Sequence, residues 1–228
     1  MVRASFIALT LLARTALADC VAPTAEGFTE RTGGSGGTPF ALFCKADQVL
    51  VGAYGKAGNY LGSIGGLCRS VGENGEWIGE ETRTEEKGGD PRDRGPASGV
   101  PDPESKPFLV RCPEGMAVVG MAGRSGSWMD RVDLTCRRLA PHPNNQEKDC
   151  RWRMMVATGN YKRLPYVGGR GGKGFYARYC PHDKPANRLV GSAGRYVYNL
   201  MLMCNSPAPS APPPPVSAGK VRGRGAGK

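Results

Sequence analysis

Histidine is nearly absent from this chain of 228 residues: there are two, His142 and His182, and no Cys-x-x-Cys pair. Zinc sites are built from closely spaced cysteine and histidine ligands, so no metal site is expected. Both histidines sit in proline-containing, loop-like contexts, "PHP" and "CPHD". His182-Asp183 could supply half of a catalytic triad, but no nucleophile with a supporting motif completes it. The chain therefore reads as a non-enzyme without a cofactor.

Long apolar runs are missing too. The exception is the start, where "MVR" is followed by "ASFIALTLLA" and by "ALA" before Asp19. That pattern is a signal peptide over residues 1–18, too short to span a bilayer, and no later run reaches the roughly 18 apolar residues of a membrane helix. The expectation is a secreted, extracellular protein without a transmembrane segment. Acylation of Cys20 is the weaker alternative, because Asp19 stands where a small residue is expected. No Asn-x-Ser/Thr acceptor occurs. Acidic residues are the minority, 20 against 31 lysines and arginines, giving a net charge of +11, or +9 without Arg3 and Arg14. A basic exported chain can meet acidic polysaccharide, cell wall or anionic membrane. Nucleic acid is not an expected partner for an exported protein.

Glycine and cysteine are plentiful. With 34 glycines and 19 prolines, long helices have little room. The eight cysteines all follow the signal, and an even count in an exported chain implies a disulfide framework. Their spacing reveals a repeat. Cys44, Cys112 and Cys180 are 68 apart, as are Cys68, Cys136 and Cys204. The same register aligns Phe40, Phe108 and Tyr176; Gly55, Gly123 and Gly191; and Gly58, Gly126 and Gly194. It also aligns Leu61, Met129 and Val197, and Ile64, Val132 and Leu200. Self-similarity at a fixed period marks a repeat architecture.

Each unit reads as β. "FALFC", "FLVRC" and "FYARYC" have strand character; "QVLVGAYG", "MAVVGMAG" and "NRLVGSAG" are apolar runs closed by glycine. "YLGSIGGLC", "WMDRVDLTC" and "YVYNLMLMC" complete the pattern. Gly-x-x-Gly between strands suits a tight turn. Residues 69–105 and 137–174 are dissimilar insertions, each with one further strand candidate, "EWIGEE" and "CRWRMMVATGNYKR". That makes about four strands in each of three units. Trp77 and Trp152 are assigned to strands and cores. Repeat symmetry selects Cys44–Cys68, Cys112–Cys136 and Cys180–Cys204 from the 105 possible pairings, leaving Cys20–Cys150. A single domain is expected over 19–205, with repeat cores at about 33–68, 101–136 and 168–204. The tail at 206–228, rich in proline, glycine and basic residues, should be disordered.

The stretches "GGSGGTPFALFC…VGAYGKAGNYLGSIGGLC", "KPFLVRC…VVGMAGRSGSWMDRVDLTC" and "GGRGGKGFYARYC…LVGSAGRYVYNLMLMC" resemble the unit of the jacalin-related lectins. The paired cysteines are also similar to those of vitelline membrane outer layer proteins. The resemblance implies an all-β fold: a β-prism of three pseudo-symmetric four-stranded Greek-key sheets. It also implies a metal-free carbohydrate site in which a Gly-x-x-x-Asp loop and a Gly-rich loop hold the hydroxyls of one hexose. Only the second unit has the full loop, Gly126, Ser127, Trp128, Met129 and Asp130; Gly62 and Tyr198 replace the aspartate in the other two. Before its strand the second unit reads "VPDPESKPF", without the Gly-rich loop. The family arrangement would instead set the Asp130 loop against Gly168, Gly169 and the glycines that follow, to Gly172.

The residue types suit that chemistry. Glycines let backbone amides approach a sugar without an intervening Cβ. A carboxylate accepts two hydroxyls in charge-assisted hydrogen bonds, and Trp128 could cover the apolar face of the ring. Two readings follow: a lectin whose partners are glycans carrying a mannose-, glucose- or galactose-type hexose, or an extracellular coat protein of the same fold with no working sugar site. Acidic polysaccharide is a further candidate partner for the basic surface and tail.

Overall fold

The computed structural model describes residues 27–89, 105–141 and 155–205. The stretch 1–18 expected to be a signal peptide, Cys20, His142, Cys150, Trp152 and the tail from Ser206 lie outside the described residues. Fifteen strands follow in order: β1 Gly27–Phe28, β2 Thr32–Gly33, β3 Thr38–Phe43, β4 Gln48–Ala57, β5 Leu61–Val71, β6 Trp77–Arg83, β7 Lys87–Gly88 and β8 Lys106–Arg111. Then come β9 Met116–Ser125, β10 Met129–Pro141, β11 Met155–Arg163, β12 Val167–Gly168, β13 Lys173–Tyr179, β14 Ala186–Ala193 and β15 Val197–Cys204. One short 3-10 turn, Pro181–Asp183, is the only helical element among the described residues. No helix there is long and apolar enough to cross a membrane.

The strands form three antiparallel sheets with the same plan. The first runs β8-β4-β5-β6, the second β13-β9-β10-β11, the third β3-β14-β15-β1. In each, a two-residue strand (β7, β12 or β2) pairs with one central strand. In the first sheet three consecutive strands are joined by a fourth that returns beside the first of them, which is Greek-key order. Sheets and repeat units do not coincide. The strand that opens each unit pairs with the preceding unit's hairpin: β8 with β4, β13 with β9, and β3 with β14 of the last unit. The N-terminal strands thus complete the sheet begun by the C-terminal hairpin.

Each disulfide spans this hand-over. Cys44 follows β3 of the third sheet and joins Cys68 on β5 of the first, with Cα atoms 5.6 Å apart. Cys112 follows β8 of the first sheet and joins Cys136 on β10 of the second, at 5.8 Å. Cys180 follows β13 of the second sheet and joins Cys204 on β15 of the third, at 5.7 Å. The three pairings selected by symmetry are those observed, and they staple the sheets into a ring.

Residues at shared repeat positions meet in one core. Leu61, Met129 and Val197, and Ile64, Val132 and Leu200, are buried in a single cluster drawn from all three sheets. A second cluster, around Val49, Val51, Leu139 and Met155, lies between the first and second sheets, with Trp77 half-buried against it. The Trp77 indole donates to the Met116 carbonyl at 3.0 Å, satisfying its polar end at the sheet junction.

One repeat alignment is corrected. Phe40 stands opposite Gly191 and Phe108 opposite Gly55, but the residue opposite Gly123 is Phe175, not Tyr176. The Phe40 and Phe175 rings lie where the Cβ of Gly191 or Gly123 would be, at 3.0 Å, so each aromatic covers a cross-strand glycine. A register shift between Phe175 and Arg178 absorbs one extra residue and brings the strand back in step at Cys180. A one-residue slip reverses a side chain's face, and Tyr176 accordingly points to solvent, 91% exposed.

Candidate functional site

The three Gly-x-x-Gly turns share one geometry. The amide of Gly58 donates to the Tyr60 carbonyl, that of Gly126 to Trp128, and that of Gly194 to Tyr196, at 3.0, 2.9 and 3.0 Å. The turns crowd together at one end of the molecule. Tyr60, Trp128 and Tyr196, which occupy one repeat position, form a triangle of rings with centroids 5.7, 5.1 and 6.2 Å apart. Trp128 is thus half-buried within an aromatic cluster instead of standing free, and its Nε1 is buried without a hydrogen-bond partner.

The second unit's turn faces the glycine loop after β12. The Gly169 amide donates to the Asp130 carbonyl at 2.7 Å. Gly168 has φ +104°, and a Cβ there would run into the same carbonyl. Gly171 and Gly172 close over the Asp130 carboxylate: a Cβ on Gly171 would collide with Oδ1, and one on Gly172 with Oδ2. Arg124, near the end of β9, clamps this loop by donating Nε to the Gly171 carbonyl at 2.6 Å and Nη2 to the Gly172 carbonyl at 2.8 Å. Gly126 sits opposite, about 3.9 Å from the Gly172 Cα measured from its would-be Cβ. Ser127 is exposed at the tip. Met129 is fully buried, with the Thr32 hydroxyl near its sulfur, so it offers a ligand only its backbone.

Asp130 is 4% exposed. Burial pushes its carboxyl above the ordinary aspartate value, partly opposed by the Arg124 charge and by a backbone amide. Among the described residues no side chain donates a hydrogen bond to its oxygens. Burying a carboxylate is costly, and each further hydrogen-bond donor that reaches it offsets part of that cost.

The other two units differ. In the third, Tyr198 takes the aspartate position and its ring lies over Gly36 and Gly37, 2.7 and 2.8 Å from where their Cβ atoms would be. In the first, Gly62 leaves the position without a side chain, and the nearby carboxylate is Glu86, which accepts from the Ser63 hydroxyl. The glycine turn of the second unit is present after all. Lys87–Gly88 is the counterpart of Thr32–Gly33 and Val167–Gly168, with Gly33, Gly88 and Gly168 all at φ between +104° and +114°. "KGG" carries no repeat signal in the sequence because residues 90–105 separate it from β8. The Arg124 clamp was legible only as the "GRSG" of the motif. His182 and Asp183 occupy the 3-10 turn, where the Arg137 guanidinium holds the Asp183 carboxylate, far in sequence from the Asp130 loop.

No family model and no characterised protein matches the sequence. The fold does match solved structures. A variant of Malaysian banana lectin superposes with a TM-score of 0.50 at 13% identity, covering 80% of this chain and 99% of that one. A mannose-specific jacalin-related lectin from Morus nigra, solved with mannose, also reaches a TM-score of 0.50, at 12% identity, over 80% and 96%. The fold is the jacalin-type β-prism. In this prism the three turn loops share one end, and of the three positions homologous by repeat only Asp130 carries a carboxylate.

Proposed function

We propose that this β-prism is a secreted, metal-free lectin that binds one hexose between the Gly126–Asp130 turn and the Gly168–Gly172 loop, making and breaking no bond. The observation that carries the reading is the buried Asp130 carboxylate with two glycines against its oxygens and no side-chain donor among the described residues. Two vicinal hydroxyls can donate to Oδ1 and Oδ2, while exposed loop amides approach the ring without Cβ interference. Net contacts of about 1.5–3 kcal/mol each make a millimolar single site, about −4 kcal/mol, attainable from very few of them. The Morus nigra neighbour of the same fold, solved with mannose, lends the reading support at the level of ligand class. Trp128 contributes by fixing the turn through its ring contacts.

The test is a glycan array on the oxidised protein from residue 19, beside Asp130→Ala. Selective binding lost in the variant, with its circular-dichroism spectrum and cooperative unfolding retained, bears the reading out; binding that survives moves the site elsewhere. An extracellular coat protein without a sugar site is the second reading, favoured by the aspartate positions lost in two of three units. Absence of binding by both proteins would select it.

A further inference from the structure

The charge of the prism is unevenly placed. Residues 155–178 carry Lys162, Arg163, Arg170, Lys173 and Arg178 and not one acidic residue. On the first sheet, by contrast, residues 77–88 carry Glu80, Glu81, Glu85 and Glu86 against Arg83 and Lys87. Of the cations in 155–178, Arg163 lines a shallow cleft of about 260 Å3 on the second sheet, whose lining also holds the Asp133 carboxylate. Ala122 and Gly123 are part of its lining, and Arg124, Arg131 and Arg163 bring three guanidinium groups to it.

Arg131 is committed: it forms a two-point ion pair with Asp133 at 2.7 and 2.8 Å and stacks over the Tyr166 ring at 3.9 Å. Arg178 pairs with Glu30. Arg163, Arg170, Lys162 and Lys173 are exposed and have no carboxylate within ion-pair reach among the described residues. Beside them Tyr176, turned outward by the β13 bulge, lines the cleft with an unstacked ring. Arg124 belongs to both places, lining the cleft and bonding the carbonyls of Gly171 and Gly172. The cleft and the Asp130 loops are therefore contiguous.

We propose that this face is a docking track for a polyanionic polysaccharide running on from the Asp130 site, with acid groups held by Arg163 and Lys173 and a sugar ring stacked on Tyr176. The uncommitted guanidinium fork of Arg163 matches a pair of carboxylate or sulfate oxygens. An exposed aromatic beside it suits the apolar face of a pyranose, a combination that a merely solubilising charge does not need. The proposal extends the carbohydrate reading above from one hexose to a charged chain, and places the acidic-polysaccharide contact on a folded sheet instead of the tail.

The experiment measures binding of the full oxidised protein to polygalacturonate, dextran sulfate and neutral dextran at two salt concentrations. Arg163→Glu, Tyr176→Ala and Asp130→Ala are measured alongside. Expected are binding to at least one of the polyanions, weakening steeply with salt, a tenfold or greater loss in Arg163→Glu, and a several-fold loss in Tyr176→Ala. The carboxylate and sulfate polymers report which anion is taken. Equal binding to neutral dextran, or polyanion binding indifferent to Arg163→Glu, overturns the proposal. Equal affinity for single-stranded DNA with the same sensitivity to that variant also overturns it, leaving only a general polycation. Failure of the Asp130 reading is seen separately, as hexose binding that survives Asp130→Ala; polyanion binding lost in Arg163→Glu would still stand.

Discussion

The amide of Gly169 donates to the carbonyl of Asp130 at 2.7 Å, tying the end of one sheet's turn to the glycine loop that enters the next strand. That bond and the Arg124 contacts to Gly171 and Gly172 fix the loop's position over the carboxylate. Small changes in the loop should therefore be felt at the carboxylate before they are felt in the fold.

Gly171→Ala puts a methyl group against Oδ1 of Asp130. Hexose affinity should fall at least tenfold, while thermal unfolding shifts by only a few degrees because the loop is exposed. Gly168→Ala should act on the fold instead, costing roughly 1–3 kcal/mol, since that residue needs φ +104° and its Cβ would meet backbone. Titration calorimetry and denaturant unfolding separate the two.

Acid should weaken the site early. The Asp130 carboxyl is raised above 3.8 by burial, so it takes up a proton at a pH where an exposed aspartate is still ionised. Hexose binding that needs the carboxylate as acceptor should fade as pH drops through that raised value. Stability runs the other way. The folded state holds the proton more tightly than the unfolded chain, so the contribution is fully present below 3.8 and is lost as pH rises through the raised value. Asp130→Asn should then melt higher than the parent at pH 7, with the gap closing near pH 3. Paired melting curves across pH test this.

Phe175→Ala should cost about 2–3 kcal/mol, by removing a ring that packs on the core and covers Gly123. Tyr176→Ala should change stability by under about 0.5 kcal/mol, as expected of an exposed residue. Urea unfolding of the two variants checks the register directly.

Replacing Cys112 and Cys136 together by serine should destabilise the prism by about 2–4 kcal/mol. Non-reducing peptide mapping of the parent should find the three described pairs and a Cys20–Cys150 link.

Much of this architecture could be read from the sequence because the repeat kept its strictest positions in step. Leu61, Met129 and Val197 are locked by packing, and the cysteines by covalent geometry, so their 68-residue spacing survived. Hydrogen-bond partnership leaves no such trace. Nothing in the "FLVRC" pattern says that β8 pairs with the unit before its own, because a strand's alternation reports which face is buried and not which neighbour it has. The misassigned Tyr176 has a similar origin: an added residue inside β13 is invisible when the flanking cysteines stay 68 apart. At the site, the facing of the Asp130 turn and the Gly168–Gly172 loop is implied by the family likeness, whereas "KGG" at 87–89, with Gly88 standing 13 positions out of step with Gly33 and 12 with Gly168 at the 68-residue period, leaves no repeat signal.

The third sheet is made from both ends of the folded region, Gly27 lying opposite Cys204 and Thr32 bonding to Leu200. A ribosome that has delivered every residue up to β14 has still not delivered the partner that β1 and β2 require. The first two sheets need nothing beyond β13, so closing the third sheet is the step that must wait for the last strand of the prism.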